Sequence, residues 1–155
     1  MKLALELPNV LVCRTLSKSF SLAGLRLGYA IGSKPLIAAL YKLKDSYNVD
    51  RLAQAVALAA LGDLPWMEDN ARRIVATRNR VVGELEKRGF RVIPSAANFL
   101  FVEPPAGTSA QDVFGILRAK NFLVRHFPGG RTDNYLRVSI GTDAQMDAFL
   151  AVLSR

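Results

Sequence analysis

The chain has 155 residues, half of them hydrophobic, and its 21 basic and 13 acidic side chains give a net charge of +8. That is the size of one ordinary domain with enough apolar material for a core, which excludes a disordered chain. The apolar runs are too short and too interrupted to span a bilayer, which needs ~20 residues, so a membrane partner is not expected.

One cysteine, Cys13, excludes an internal disulfide and fits a reducing cytoplasm. It lies in an apolar run and reads as a buried structural thiol. Met1-Lys2 is followed by a pattern broken by Glu6 and Pro8, which reads as no signal peptide. The basic residues are spread along the chain without a dense block, so nucleic acid is not the expected partner. Much of the excess lies in residues 1–47, with seven Lys/Arg against two acids, which suits a site for phosphorylated small molecules.

In chain order, the Pro8-Asn9 turn signal leads into a predicted strand, Val10 to Cys13. A small polar loop follows, from Arg14 through Ser17-Lys18-Ser19 to Gly24, before a second strand from Leu25 to Gly32. A lysine between two buried strands is poorly solvated and needs a partner or a covalent role. Desolvation is one way an amine becomes a nucleophile toward carbonyls. The residues alone leave open a simple loop lysine beside a salt-bridging Arg26.

Ser33-Lys34-Pro35 opens a helix through about Lys44, with Leu36, Ile37, Leu40 and Leu43 on one face. Asp50 caps a second helix, Leu52 to Leu61, which is apolar nearly all round and is expected to be buried. After the break at Gly62–Pro65, a long helix runs from about Trp66 to Arg88 and ends at Gly89. Its stripe of Met67, Ala71, Ile74, Val81 and Leu85 is core, and Arg78 on that stripe suggests an edge position or a snorkelling stem.

Short strands follow at Phe90–Ile93 and Asn98–Val102, then a helix capped by Ser109 and Asp112 that ends near Asn121. Phe122–Arg125 reads as a strand, His126–Asn134 as a polar glycine-rich loop and Tyr135–Ile140 as another strand. Thr142 and Gln145 cap a last helix with Met146, Phe149, Leu150 and Leu153 on one face. The alternation predicts an α/β sandwich of one sheet and packed helices. Adjacent strands would carry Arg125 and Arg137 within reach of one anion, with Arg137 on the face opposite Leu136 and Val138. A surface salt bridge for each arginine is the alternative. No metal-ligand cluster, Ser-His-Asp set, P-loop or dinucleotide fingerprint is present.

The stretch Arg14-Thr15-Leu16-Ser17-Lys18-Ser19-Phe20-Ser21 through Gly24-Leu25-Arg26-Leu27-Gly28-Tyr29 closely resembles the lysine motif of fold-type I pyridoxal-phosphate enzymes. Within them it is most similar to the class-II subfamily of histidinol-phosphate aminotransferases. The run Tyr47-Asn48-Val49 with Leu52-Ala53-Gln54, and Val124-Arg125-His126-Phe127 with Tyr135-Leu136-Arg137-Val138-Ser139-Ile140-Gly141-Thr142, resemble the same branch.

The resemblance implies pyridoxal 5'-phosphate as cofactor. It implies Lys18 as the catalytic residue that bonds the cofactor aldehyde and moves the proton. Ser17 and Arg26 would hold the cofactor phosphate, with Thr15 a third candidate. Arg125 and Arg137 would hold the phosphate of L-histidinol phosphate, which is transaminated against 2-oxoglutarate in histidine biosynthesis. Asn98 matches a family position without an assigned role, and His126 is expected to be a loop residue.

The resemblance covers nearly the whole chain but only about the C-terminal half of the family's length. The expected division is a remnant of the cofactor-binding large domain at 1–47, a connecting helix at 48–65 and a small C-terminal domain at 66–155. The family's partners for the cofactor ring fall upstream of the lysine, so the chain alone is expected to be inactive. Its exposed apolar surface is expected to drive self-association, as in a homodimer. Another amino-acid aminotransferase, a threonine-phosphate decarboxylase and a non-catalytic interaction fragment are the alternatives.

Overall fold

The structure is a computed structural model that describes residues 2–153. The chain divides into two compact units, Met1–Asn70 and Ala71–Arg155.

The first unit is built on a two-stranded antiparallel ribbon. Its elements are α1 (Lys2–Glu6), β1 (Leu11–Thr15), β2 (Gly28–Gly32), α2 (Lys34–Leu43) and α3 (Arg51–Leu61). Leu11 pairs with Gly32 and Thr15 with Gly28. The helix α1 lies where the sequence suggested only an irregular lead-in, and Ala4 is its buried residue. The strand β2 begins at Gly28 rather than Leu25 because Ala23–Leu25 forms a 3₁₀ turn. Pro35 falls in the first turn of α2, and Asp50 Oδ1 accepts the Ala53 N–H (2.8 Å) to cap α3.

Three burial expectations fail in this unit. Residues of β1 and β2 are exposed or half-buried, Cys13 is exposed, and α3 buries only Ala53 and Ala57 while Leu52 and Leu58 stay more than 70% exposed. A two-stranded ribbon offers little apolar surface for a helix to cover, so composition that reads as core remains at the surface.

The second unit has a true core. A long helix, α4 (Leu64–Lys87), crosses the boundary and leads to β3 (Arg91–Ile93), β4 (Phe99–Glu103), α5 (Ala110–Ala119), β5 (Arg125–His126), β6 (Leu136–Ser139) and α6 (Asp143–Val152). The strands form one antiparallel sheet in the order β3-β4-β6-β5. Strand alternation puts Leu100, Val102, Leu136 and Val138 on one face, each 3% exposed or less. Against that face pack Val81 and Leu85 of α4, Val113 and Leu117 of α5, and Met146, Phe149 and Leu150 of α6. The opposite face carries Phe99, Phe101, Glu103 and Arg137 and is only half-buried.

Local signals set the ends. Gly89 adopts φ +81°, and the Gly89 and Phe90 N–H groups bond back to Glu86 and Leu85 carbonyls, closing α4. Ser109 accepts the Asp112 N–H, and Thr142 with Gln145 forms a reciprocal capping box. The strand β5 is shorter and later than expected, Arg125–His126 rather than Phe122–Arg125, because 122–124 find no ladder partner. Arg78 reaches out of the helical stripe to the Ala97 carbonyl (2.9 Å).

Ion pairs tie the helices together at their rims. Arg80 of α4 meets Asp143 (3.0 Å) and Asp147 (2.6 Å) of α6, and Thr77 also donates to Asp143. Hydrogen bonds from Arg80, then Thr77, hold the Asp143 carboxyl below its usual range. Arg88 and Lys87 lower Glu84 from 4.5 to about 2. Arg91, then Asn134, lowers Glu103. A depressed carboxylate contributes stability that is complete above its unfolded value and is lost as pH falls through the folded one. The thermal midpoint, followed by circular dichroism, is therefore expected to fall as pH drops from 4.5 toward about 2, and less steeply in Glu84→Gln. An identical pH profile for Glu84→Gln would contradict this account.

Candidate active site

Lys18 sits in a loop that the β1–β2 ribbon closes. Beyond Thr15–Gly28 the ladder takes one more step, with Leu16 N–H donating to Leu27 O (3.1 Å). Leu16 is 3% exposed and is the loop's buried anchor. Its own carbonyl accepts the Leu22 N–H (3.2 Å), and the Lys18 carbonyl accepts the Ser21 N–H (3.2 Å). Ser21 and Arg26 both take left-handed backbone conformations (φ 57° and 54°), which let the chain curl and return.

This closure sets Ser17 and Arg26 next in sequence to the bonded pair Leu16–Leu27, at one end of the loop. Thr15 Oγ1 donates to Ser17 Oγ (2.8 Å) and accepts the Ser17 N–H (3.1 Å), so two hydroxyls lie side by side. Arg26 Nη1 donates to Ala23 O (3.0 Å), which steadies the side chain and leaves other N–H groups of the fork. Two short hydroxyls and a guanidinium fit a phosphate dianion by chemistry. Lys18, Thr15 and Arg26 are exposed and Ser17 is half-buried, so this chain does not supply the burial expected around Lys18.

A second cluster lies on the open face of the four-stranded sheet. Arg125 and Arg137 are direct cross-strand partners. Both guanidinium groups approach the Phe127 ring, Arg125 Cζ at 4.9 Å and Arg137 Cζ at 5.9 Å from its centroid. Arg137 also lies 5.5 Å from the Phe99 ring. Phe127 meets Phe101 edge-on at 6.2 Å, and Phe101 stacks on Tyr135 at 4.7 Å. Tyr135 is held in turn by Arg91, which pairs with Glu103 (2.6 Å).

The expected loop histidine, His126, is a strand residue. Its Nε2 donates to Asp133 O (2.6 Å), and Asp133 Oδ1 accepts the Gly129 N–H (2.8 Å), so the pair braces the turn between β5 and β6. Asn98 accepts the Ile140 N–H through its backbone carbonyl (2.9 Å) and extends the β4–β6 pairing. Sequence reasoning missed the aromatic platform under the arginines. Its signal was present in the alternation of Phe99, Phe101 and Tyr135 with buried aliphatics.

Residues 3–153 match the family described as aminotransferase class I and II. The chain belongs to this family. Among its relatives, histidinol-phosphate aminotransferase 2 of Thiobacillus denitrificans is 49% identical over 150 residues, covering 94% of this chain and 42% of that protein. The histidinol-phosphate aminotransferase of Clostridium acetobutylicum is 48% identical over 153 residues, covering 97% of this chain and 43% of that protein.

The crystal structure of the Sinorhizobium meliloti histidinol-phosphate aminotransferase in complex with pyridoxal-5'-phosphate has a TM-score of 0.81 at 29% identity. That match covers 94% of this chain and 40% of that one. The fold is thus that of part of a fold-type I aminotransferase, and the chain spans less than half the length of the relatives it matches.

The Lys18 loop depends on one glycine, Gly28. A Cβ at Gly28 would lie 2.6 Å from the Arg14 carbonyl oxygen, backbone that cannot move aside without breaking the ladder. Gly28→Val is expected to unpair the Thr15 end of the ribbon, read as faster amide hydrogen exchange at Leu16 than in the parent chain. Unchanged protection at Leu16 would show that the ribbon does not require the glycine.

Proposed function

We propose that this chain carries the lysine loop and substrate anchor of a pyridoxal-phosphate-dependent enzyme that transaminates L-histidinol phosphate with 2-oxoglutarate, in the cytoplasm. The observation that carries the reading is the Arg125–Arg137 pair. Two guanidinium groups stand opposite each other on neighbouring strands, and among the described residues neither has a hydrogen bond or carboxylate partner. Such a pair suits a dianionic phosphate group on the substrate better than a single carboxylate. The names of the relatives support the same substrate.

On this reading Thr15, Ser17 and Arg26 would hold the cofactor phosphate, and Lys18 would be the residue that holds the cofactor through its Nζ. Bound there, the cofactor supplies an electron sink for the carbon that bears the substrate amine. Lys18 Nζ accepts the proton released from that carbon and returns it as a general acid. Arg125 and Arg137 hold the far phosphate and so fix which carbon faces the amine. Residues 1–47 act as part of the cofactor-binding domain, 48–65 as a connector and 66–155 as the small domain.

The exposure of Lys18 and of the ribbon around it supports a further part of the proposal, that the 155-residue chain alone does not turn over. Mixed with cofactor, it is expected to show neither a stable absorbance band of lysine-bound cofactor nor glutamate formation. Fused to the part of the Thiobacillus denitrificans relative that the match leaves out, it is expected to gain both, and Lys18→Ala to lose both. Turnover by the chain alone would refute its incompetence. A fusion that releases carbon dioxide from threonine phosphate instead of making glutamate would refute the substrate assignment.

The first unit also exposes Tyr47 (93%), Leu43 (83%) and Leu58 (74%), which supports self-association as a homodimer. Sedimentation is expected to show a mass above that of one chain, and a strict monomer at high concentration would count against it.

A further inference from the structure

We propose that Phe127 is a positioning residue that holds Arg125 and Arg137 together as one dianion clamp. The inference rests on the reading of those arginines as the substrate-phosphate anchor and adds the element that makes a pair of them.

Like charges directly opposite on neighbouring antiparallel strands repel, and the usual remedy is a nearby carboxylate. None is found on either guanidinium among the described residues, and the groups facing them are aromatic. The Phe127 ring is shared, 4.9 Å from Arg125 Cζ and 5.9 Å from Arg137 Cζ. Its negative face attracts both cations, which offsets their repulsion. A ring contact leaves the N–H groups of each fork for a ligand, whereas a carboxylate would occupy them.

The ring is itself fixed from two sides. Phe101 meets its edge at 6.2 Å and is stacked on Tyr135 at 4.7 Å. The loop that leaves Phe127 is pinned by Thr132 Oγ1 donating to the Phe127 carbonyl (3.3 Å) and by the His126–Asp133 contact (2.6 Å). Glycines 129 and 130 take φ +89° and +65°, which allow the sharp return to β6. A ring so braced sets the spacing of the two charges before an anion arrives, and a preset spacing favours a dianion that engages both over a monoanion that engages one.

Titration of the 155-residue chain with inorganic phosphate, read from the arginine Nε–H resonances, tests this. Both resonances are expected to move together with one apparent Kd, and acetate is expected to bind more weakly. Phe127→Leu is expected to weaken phosphate binding about tenfold, the loss of two cation–π contacts, and to narrow the preference over acetate. Pentafluorophenylalanine at position 127 keeps the ring's shape and reverses its face charge. It is expected to give the same loss, and it carries the test should the leucine variant fold poorly.

Phosphate affinity equal to that of the parent chain in the fluorinated protein would overturn the role of Phe127 while leaving the arginine anchor intact. No phosphate binding by the parent chain, or binding that survives both Arg125→Ala and Arg137→Ala, would overturn the anchor and this inference with it.

Discussion

Burial of one face of the four-stranded sheet is the constraint on which the second unit depends. Leu100, Val102, Leu136 and Val138 present a continuous aliphatic surface, and three helices contribute matching side chains to cover it. Each such side chain removed from water contributes roughly 1.5–3 kcal/mol, so the register between β4 and β6 is held far more firmly than any surface contact could hold it. Because side chains alternate, fixing Val138 inward fixes Arg137 outward, and pairing Arg137 with Arg125 follows from the same register. The juxtaposition of the two guanidinium groups is therefore a by-product of core packing on the reverse face.

The lysine loop is held by a different principle. There the backbone supplies the order, through the Leu16–Leu27 hydrogen bond, a single buried leucine and left-handed residues at Ser21 and Arg26. Such a loop has defined shape but little apolar burial. Hydroxyl and guanidinium donors gather at one end of it, and the amine of Lys18 is left in the open.

Much of the architecture was legible in the sequence because it is written in local chemistry. Asp50, Ser109, Thr142 with Gln145, and Gly89 each mark a helix end through a hydrogen bond or a backbone angle that involves only near neighbours. The placement of Arg137 opposite Leu136 and Val138 follows from period-two alternation alone. The strand expected at Phe122–Arg125 lies at Arg125–His126, since the apolar run satisfies strand periodicity but the ladder partners Arg137 and Leu136 face only its last residue and the one after it.

By itself, then, the sequence determined the caps at Asp50, Ser109, Thr142 and Gly89, the alternation of β6 and membership of the family, since each depends on residue types at short spacing. Tertiary structure alone decided burial. Cys13 and the apolar residues of α3 look like core by composition, but the two-stranded ribbon of this unit offers too little apolar surface to bury them. It alone also decided that one ring, Phe127, is approached by two cations, because its contact with Arg137 joins residues ten positions apart through a strand register no local pattern encodes.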